Sequence, residues 1–238
     1  MMLKGFLSGL SFYTSIPISK DIEFNEDNFQ NGFLTLPIIG LLIGFILFII
    51  SILLNMIFID PIKLGFILML AYLVLTGGLH FDGLSDTSDG MFSQRSKEKT
   101  LQIMKDSRIG AFGGLSISIA LIGYTIFFSE ISTFKLLTFS FIPRLTIFLI
   151  ISIFSKSATS GLGELFINKV KSKKNAIIFW YFTSTAIVIF TNPKFSLNII
   201  ILLLSVYFMD RYFTKRIEGQ TGDTIGFMIE ITQLIYLL

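Results

Sequence analysis

Asp82, Asp86 and Asp89 stand within eight residues, in the run Gly77-Gly78-Leu79-His80-Phe81-Asp82-Gly83-Leu84-Ser85-Asp86-Thr87-Ser88-Asp89-Gly90. On a helix, the i, i+4, i+7 spacing puts the three carboxylates on one face. Like charges on successive turns repel, so the arrangement calls for a cation. Hard oxygen ligands suit Mg²⁺ or Mn²⁺, which commonly completes its shell with substrate phosphates. The plainer alternative is a solvated acidic loop after a membrane segment. His80, two residues before Asp82, points away from that face if helical. It is either a helix-start hydrogen-bonder or a general base or phosphate binder.

Basic groups follow directly. In Leu101-Gln102-Ile103-Met104-Lys105-Asp106-Ser107-Arg108-Ile109-Gly110-Ala111-Phe112-Gly113-Gly114, Lys105 and Arg108 occupy neighbouring positions on a helix. Arg grips a phosphate bidentately and Lys acts as a point charge. Asp106 is placed to pair with either or to add a metal ligand. The glycines admit close backbone approach and open a helix whose N-terminus favours anions. A basic membrane anchor is the competing reading. The third polar motif, Glu218-Gly219-Gln220-Thr221-Gly222-Asp223-Thr224-Ile225-Gly226, offers Thr221 or Asp223 as a helix cap or as site residues. Glu230, two turns after Asp223, and Arg144, after Pro143, are ionisable groups inside apolar runs. Such groups usually face a functional interior, though Arg144 also has the option of snorkelling or of balancing Glu230 or an aspartate.

What positions these groups is a membrane. The chain has 238 residues, 53% hydrophobic and only 15% charged, too few charges to cover a soluble domain. Apolar runs at 33–58, 63–79, 110–128, 136–154, 176–191, 195–209 and 225–238 predict an all-α, polytopic membrane bundle of about seven helices. Residues 1–32 read as an N-terminal interfacial segment, and 80–109 as an Asp-rich catalytic loop within a single domain, 1–238. If every run crosses, one side of the membrane carries fifteen Lys and Arg, and the other only Lys63, Lys135 and Lys194. This asymmetry predicts a cytoplasmic site in a cell membrane. The net charge of +3 therefore reports topology, with no nucleic-acid partner expected. Cysteine is absent and His80 is the single histidine, which excludes thiolate chemistry and multi-His zinc sites.

The runs TGGLHFDGLSDTSDG (76–90), LQIMKDSRIGAFGG (101–114) and TGDTIG (221–226) resemble the cobalamin synthase family, the adenosylcobinamide-GDP ribazoletransferases. Ser11 to Pro17 and Leu36 to Gly44 are similar to it as well. Phe81, Ser85 and Ser88 stand where Leu and Ala are common in that family, and Gln233 where a glutamate is expected. The resemblance implies a Mg²⁺-dependent membrane enzyme. It would join adenosylcobinamide-GDP to α-ribazole, or its 5′-phosphate, giving adenosylcobalamin, or its 5′-phosphate, and GMP. Asp82, Asp86 and Asp89 would hold the metal, and Lys105, Asp106, Arg108, Arg144 and Thr221 would contact substrate. An aspartate such as Asp82, or Asp223, or His80 would take the hydroxyl proton. A CDP-alcohol phosphotransferase-like enzyme fits less well, because Leu84-Ser85 follows Asp82-Gly83 where that pattern wants Ala-Arg. A prenyltransferase would want a second Asp-x-x-x-Asp pair, and a transporter an inverted repeat.

Overall fold

A computed structural model describes residues 2–18, 26–57 and 60–238. Its helices are α1 (Met2–Tyr13), α2 (Glu26–Phe33), α3 (Leu36–Asn55), α4 (Pro61–Thr76), α5 (Leu79–Phe92), α6 (Lys97–Met104) and α7 (Ala111–Ser129). They continue with α8 (Thr133–Thr138), α9 (Phe141–Ile153), α10 (Leu162–Ser172), α11 (Lys174–Thr191), α12 (Phe195–Ile217) and α13 (Gly222–Leu237). Backbone groups in a bilayer have no water to bond, so helices that satisfy themselves internally are the expected outcome of these apolar runs.

Among the described residues, five segments are long and apolar enough to cross a membrane: α3, α7, α8 with α9, α11 and α12. α4 qualifies only together with α5, and the two meet at 92°. α13 has 16 residues, short for a span, yet it runs between the two ends of the bundle. It starts at Thr221 beside the end of α12. It finishes where Lys135 Nζ donates to Leu237 O at 2.8 Å and Asn198, near the start of α12, donates to Tyr236 O at 3.5 Å. α4 and α13 are thus short rods inside the same bundle. The chain is a multi-pass helical membrane protein.

Several boundaries differ from the sequence expectation. The 80–109 region holds α5 and α6 where a loop was expected. The apolar run ending at 209 continues to Ile217 in α12, because Met209 to Ile217 has the apolar spacing to pack Phe213 and Ile217 inward. The interfacial segment forms α1 and α2, which close so tightly that a Cβ on Gly9 would meet Gly32 O at 2.7 Å.

Local chemistry explains the corner that carries the aspartates. Asp60 Oδ1 accepts from the backbone N–H groups of Ile62 and Lys63, and Pro61 pre-sets the first turn of α4. The helix ends at Gly77 and Gly78, both left-handed at φ 60° and 71°, where a side chain would be strained. This double reversal turns the chain sharply. We read α5, with its three aspartates, as lying across the end of α4 and outside the spans. Ser15 N donates to Leu75 O at 2.9 Å, tying the N-terminal segment to the same corner.

Candidate active site at one end of the bundle

The three polar connections that the charge count places on one side meet there physically. Lys97 Nζ pairs with Glu218 at 2.6 Å, joining the start of α6 to the end of α12. Gln220 N donates to Lys156 O at 2.7 Å and Ala158 N to Gln220 O at 2.9 Å, joining the α9–α10 connection to the same loop.

α5 packs on the start of α13 through glycine: a Cβ on Gly83 would meet Asp223 O at 2.7 Å. That contact brings Asp223 to the aspartate face. Asp86 shows the consequence, its carboxyl pushed up to about 6 by partial burial first, then by the charges of Asp82, Asp223 and Asp89. Asp82 is exposed and Asp86 half-buried, so both remain open to a ligand.

Asp89 meets backbone donors. Its carboxylate accepts from Gly110 N at 2.7 Å and from Gly113 N at 2.9 Å, capping α7. A Cβ on Gly110 would strike that carboxylate, and one on Gly113 would strike both it and the Ser85 hydroxyl. The glycines after Arg108 therefore admit an aspartate of this chain, where the sequence suggested approach to an anion. Among the described residues, no three His, Asp or Glu side chains converge closely enough to hold one ion.

Two clefts share a wall at Leu162, Gly163, Gly222 and Asp223. The first, about 200 Å³, has Asp82, Asp223 and His80 among largely apolar neighbours, including Tyr13 and Phe166. The second, about 300 Å³, is lined by Lys105, Thr159, Ser160 and Thr221 with Leu101 and Met104. His80 and Asp82 border the same cleft, although two residues of helix separate their directions. The cleft lies over the first turn of α5, where both reach it. His80 is only 5% exposed, and its Nε2 has no hydrogen-bond partner among the described residues. Burial, then the nearby Arg144 charge, holds its imidazole well below its ordinary range.

The other predicted groups separate. Lys105 borders the second cleft, but Arg108 turns to solvent and grips Asp106 through Nε at 3.0 Å and Nη2 at 2.6 Å. Those side-chain bonds, with one from Arg108 N, hold the Asp106 carboxyl down to about 2. Thr221 caps α13: Thr224 N donates to its hydroxyl at 3.2 Å, while Thr221 N donates to Thr224 Oγ1 at 2.8 Å. Arg144 is fully buried, lines neither cleft, and makes no ion pair among the described residues, although its charge reaches Glu230. Nη1 reaches Leu36 O at 3.4 Å, and Nε and Nη2 have no partner among the described residues. Glu230 is held by Tyr72 at 2.8 Å and Tyr124 at 2.7 Å.

Sequence reading missed Asp210. This fully buried carboxylate of α12 accepts from Gln220 Nε2 at 2.9 Å, from Ser155 Oγ and from Arg211. It clips the Gln220–Asp223 loop to α12. A charge inside an apolar helix was the available signal, lost when the span was ended at 209. Phe12, Tyr13 and Phe166 were also missed, since an aromatic residue in an apolar run carries no mark of its own.

Fold and site define a multi-pass membrane enzyme, with an acidic, two-cleft site where its polar connections meet. Residues 5–238 match the family model described as cobalamin-5-phosphate synthase. The chain belongs to that family of cobalamin-biosynthesis transferases. It is 36% identical to the adenosylcobinamide-GDP ribazoletransferase of Caldanaerobacter subterraneus, over 98% of this chain and 96% of the relative. It is 34% identical to the one of Clostridioides difficile, covering 99% and 96%. With that of an Escherichia coli O17:K52:H18 strain the identity is 31%, covering 100% and 99%. No solved structure matches the chain.

Proposed function

We propose that this protein joins adenosylcobinamide-GDP to α-ribazole, or its 5′-phosphate, and releases GMP. The carrying observation is the position of Asp223, in the wall shared by an apolar cleft and a cleft bearing Lys105. A displacement on a diphosphate needs an acceptor hydroxyl, a proton acceptor and charge neutralisation in one place.

The acceptor hydroxyl attacks the phosphorus attached to cobinamide. The new O–P bond forms as the bond from that phosphorus to the bridging oxygen breaks, and GMP departs with the bridging electron pair. Asp223 takes the hydroxyl proton. It borders both clefts and is half-buried, whereas His80 borders only one and is nearly enclosed. Lys105 meets the departing GMP charge, with Thr221 beside it at the cleft wall. Arg108 joins only by leaving Asp106.

The acid cluster fits a divalent cation, because Asp86 resists ionisation beside uncompensated neighbours and Asp82 is open. Mg²⁺ is commonly held by one or two carboxylates plus substrate phosphates, so Asp82 and Asp86 suffice and Asp89 stays a helix cap. When bound, the ion would neutralise diphosphate charge. Arg144 stands behind the cleft wall, its charge directed at His80 and Tyr13. The joined polar connections carry most of the basic residues, which supports a site facing the cytoplasm from the cell membrane, with the whole chain as one catalytic domain.

Purified protein given adenosylcobinamide-GDP, α-ribazole and Mg²⁺ should yield GMP and adenosylcobalamin in equal amounts. Consumption of a CDP-alcohol without any GMP from the corrinoid would overturn the reading.

A further inference from the structure

We propose that the first cleft is the subsite for the flat heteroaromatic base of the acceptor nucleoside, with His80 Nε2–H donating to the base's unsubstituted ring nitrogen. The inference rests on the proposed reaction and assigns its two substrates to different clefts.

Chemistry separates them. The first cleft is walled by Phe12, Tyr13, Phe166, Leu36, Ile225 and Ile229. Tyr13 and His80 have ring centroids 6.1 Å apart, and Phe166 is backed by Phe33 at 5.6 Å and Phe148 at 5.4 Å. Buried aromatic walls of this kind accept a planar, uncharged ring by stacking and by excluding water. A volume of about 200 Å³ suits one bicyclic base, and a corrin macrocycle with its side chains is far too large for it.

Charge points the same way. The polar rim of this cleft is Asp82 and Asp223, so an anionic group belongs at the rim, where a cation or Lys105 can offset it, and the apolar interior is left to an uncharged base. The second cleft carries Lys105, the counter-charge a nucleoside diphosphate needs. A base seated in the first cleft leaves its ribose at the rim, beside Asp223, where the acceptor hydroxyl has to be.

His80 supplies the specific contact. An imidazole nitrogen that is enclosed and has no partner among the described residues is a costly feature unless a ligand completes it. A base attached to ribose through one ring nitrogen keeps the lone pair on its other ring nitrogen, which accepts a hydrogen bond.

The test uses detergent-solubilised full-length protein. Phe12→Leu at the partly exposed mouth and Phe166→Leu in the wall should each weaken α-ribazole, in binding to the protein alone by calorimetry and in KM. A loss of about tenfold is expected from stacking contacts of this kind. KM for adenosylcobinamide-GDP should stay unchanged. The indole riboside, which has C–H in place of the acceptor nitrogen, should bind wild type more weakly than α-ribazole. For His80→Leu the two nucleosides should bind alike, and His80→Gln, which keeps an N–H donor, should restore part of the difference.

A rise in KM for adenosylcobinamide-GDP with α-ribazole unaffected, or unchanged α-ribazole binding in both Phe variants, would overturn the assignment. Wild-type protein that binds α-ribazole in this cleft yet releases no GMP would instead strike the proposed reaction and leave the subsite standing.

Discussion

Acidic side chains serve opposite ends in two regions of this bundle. At the polar end, Asp82, Asp86 and Asp223 crowd together near Lys105, and part of each stays accessible. In the middle of the bundle, Glu230 is fully enclosed, but both its oxygens accept tyrosine hydroxyls from α4 and α7. Gln233 Nε2 adds a bond to Tyr72 at 2.9 Å, on the turn where a glutamate was expected. An isolated carboxylate in a low-dielectric interior is expensive, so the enclosed one must be satisfied by its own protein. The accessible cluster tolerates repulsion because water screens it until a ligand arrives. Burial alone therefore does not mark function; an unsatisfied group at a cleft does.

Breaking each side should give opposite signatures. Asp223→Asn should cut kcat by roughly a hundredfold or more, as expected for loss of a general base, with the melting temperature held. A variant retaining a tenth of wild-type kcat would remove Asp223 from the chemistry. Glu230→Leu should do the reverse. It strands two buried hydroxyls, which should cost about 2–3 kcal/mol measured by unfolding in mild detergent. Activity per folded molecule should stay near wild type, and a stable but inactive Glu230→Leu would move this acid into the site.

Asp89→Asn lies between the two. The cap on α7 loses a charged acceptor, worth about 1 kcal/mol, while the Mg²⁺ concentration for half-maximal activity stays put. A large increase in that concentration would return Asp89 to the metal. The smallest contrast is between two cations. Lys105→Ala should raise KM for adenosylcobinamide-GDP more than Arg108→Ala, because Arg108 already spends its guanidinium on Asp106. The opposite ranking would show that the Asp106 pair opens when substrate binds.

Spans, basic asymmetry and the three polar motifs are local properties, and they were legible. Apolar runs long enough for a bilayer leave the backbone little choice but helix. The Asp82-Asp86-Asp89 spacing becomes one face as soon as α5 is helical. Less legible was what each aspartate does. Asp89 shares type, spacing and motif with Asp82, and only the approach of Gly110 and Gly113 turns it into a cap.

Composition and order along the chain by themselves determined a polytopic helical membrane protein with its polar motifs gathered on one side. Hydrophobic transfer and positive-charge retention act on each segment separately, so a linear reading captures them. Tertiary structure alone decided the site. Asp223 meets Asp82 because Gly83 lets two helices far apart in the chain touch, and His80 faces a cleft because α1 and α10 close over it. Arg144 lies inside the bundle but away from both clefts for the same reason: packing between rods depends on shapes that no single segment contains.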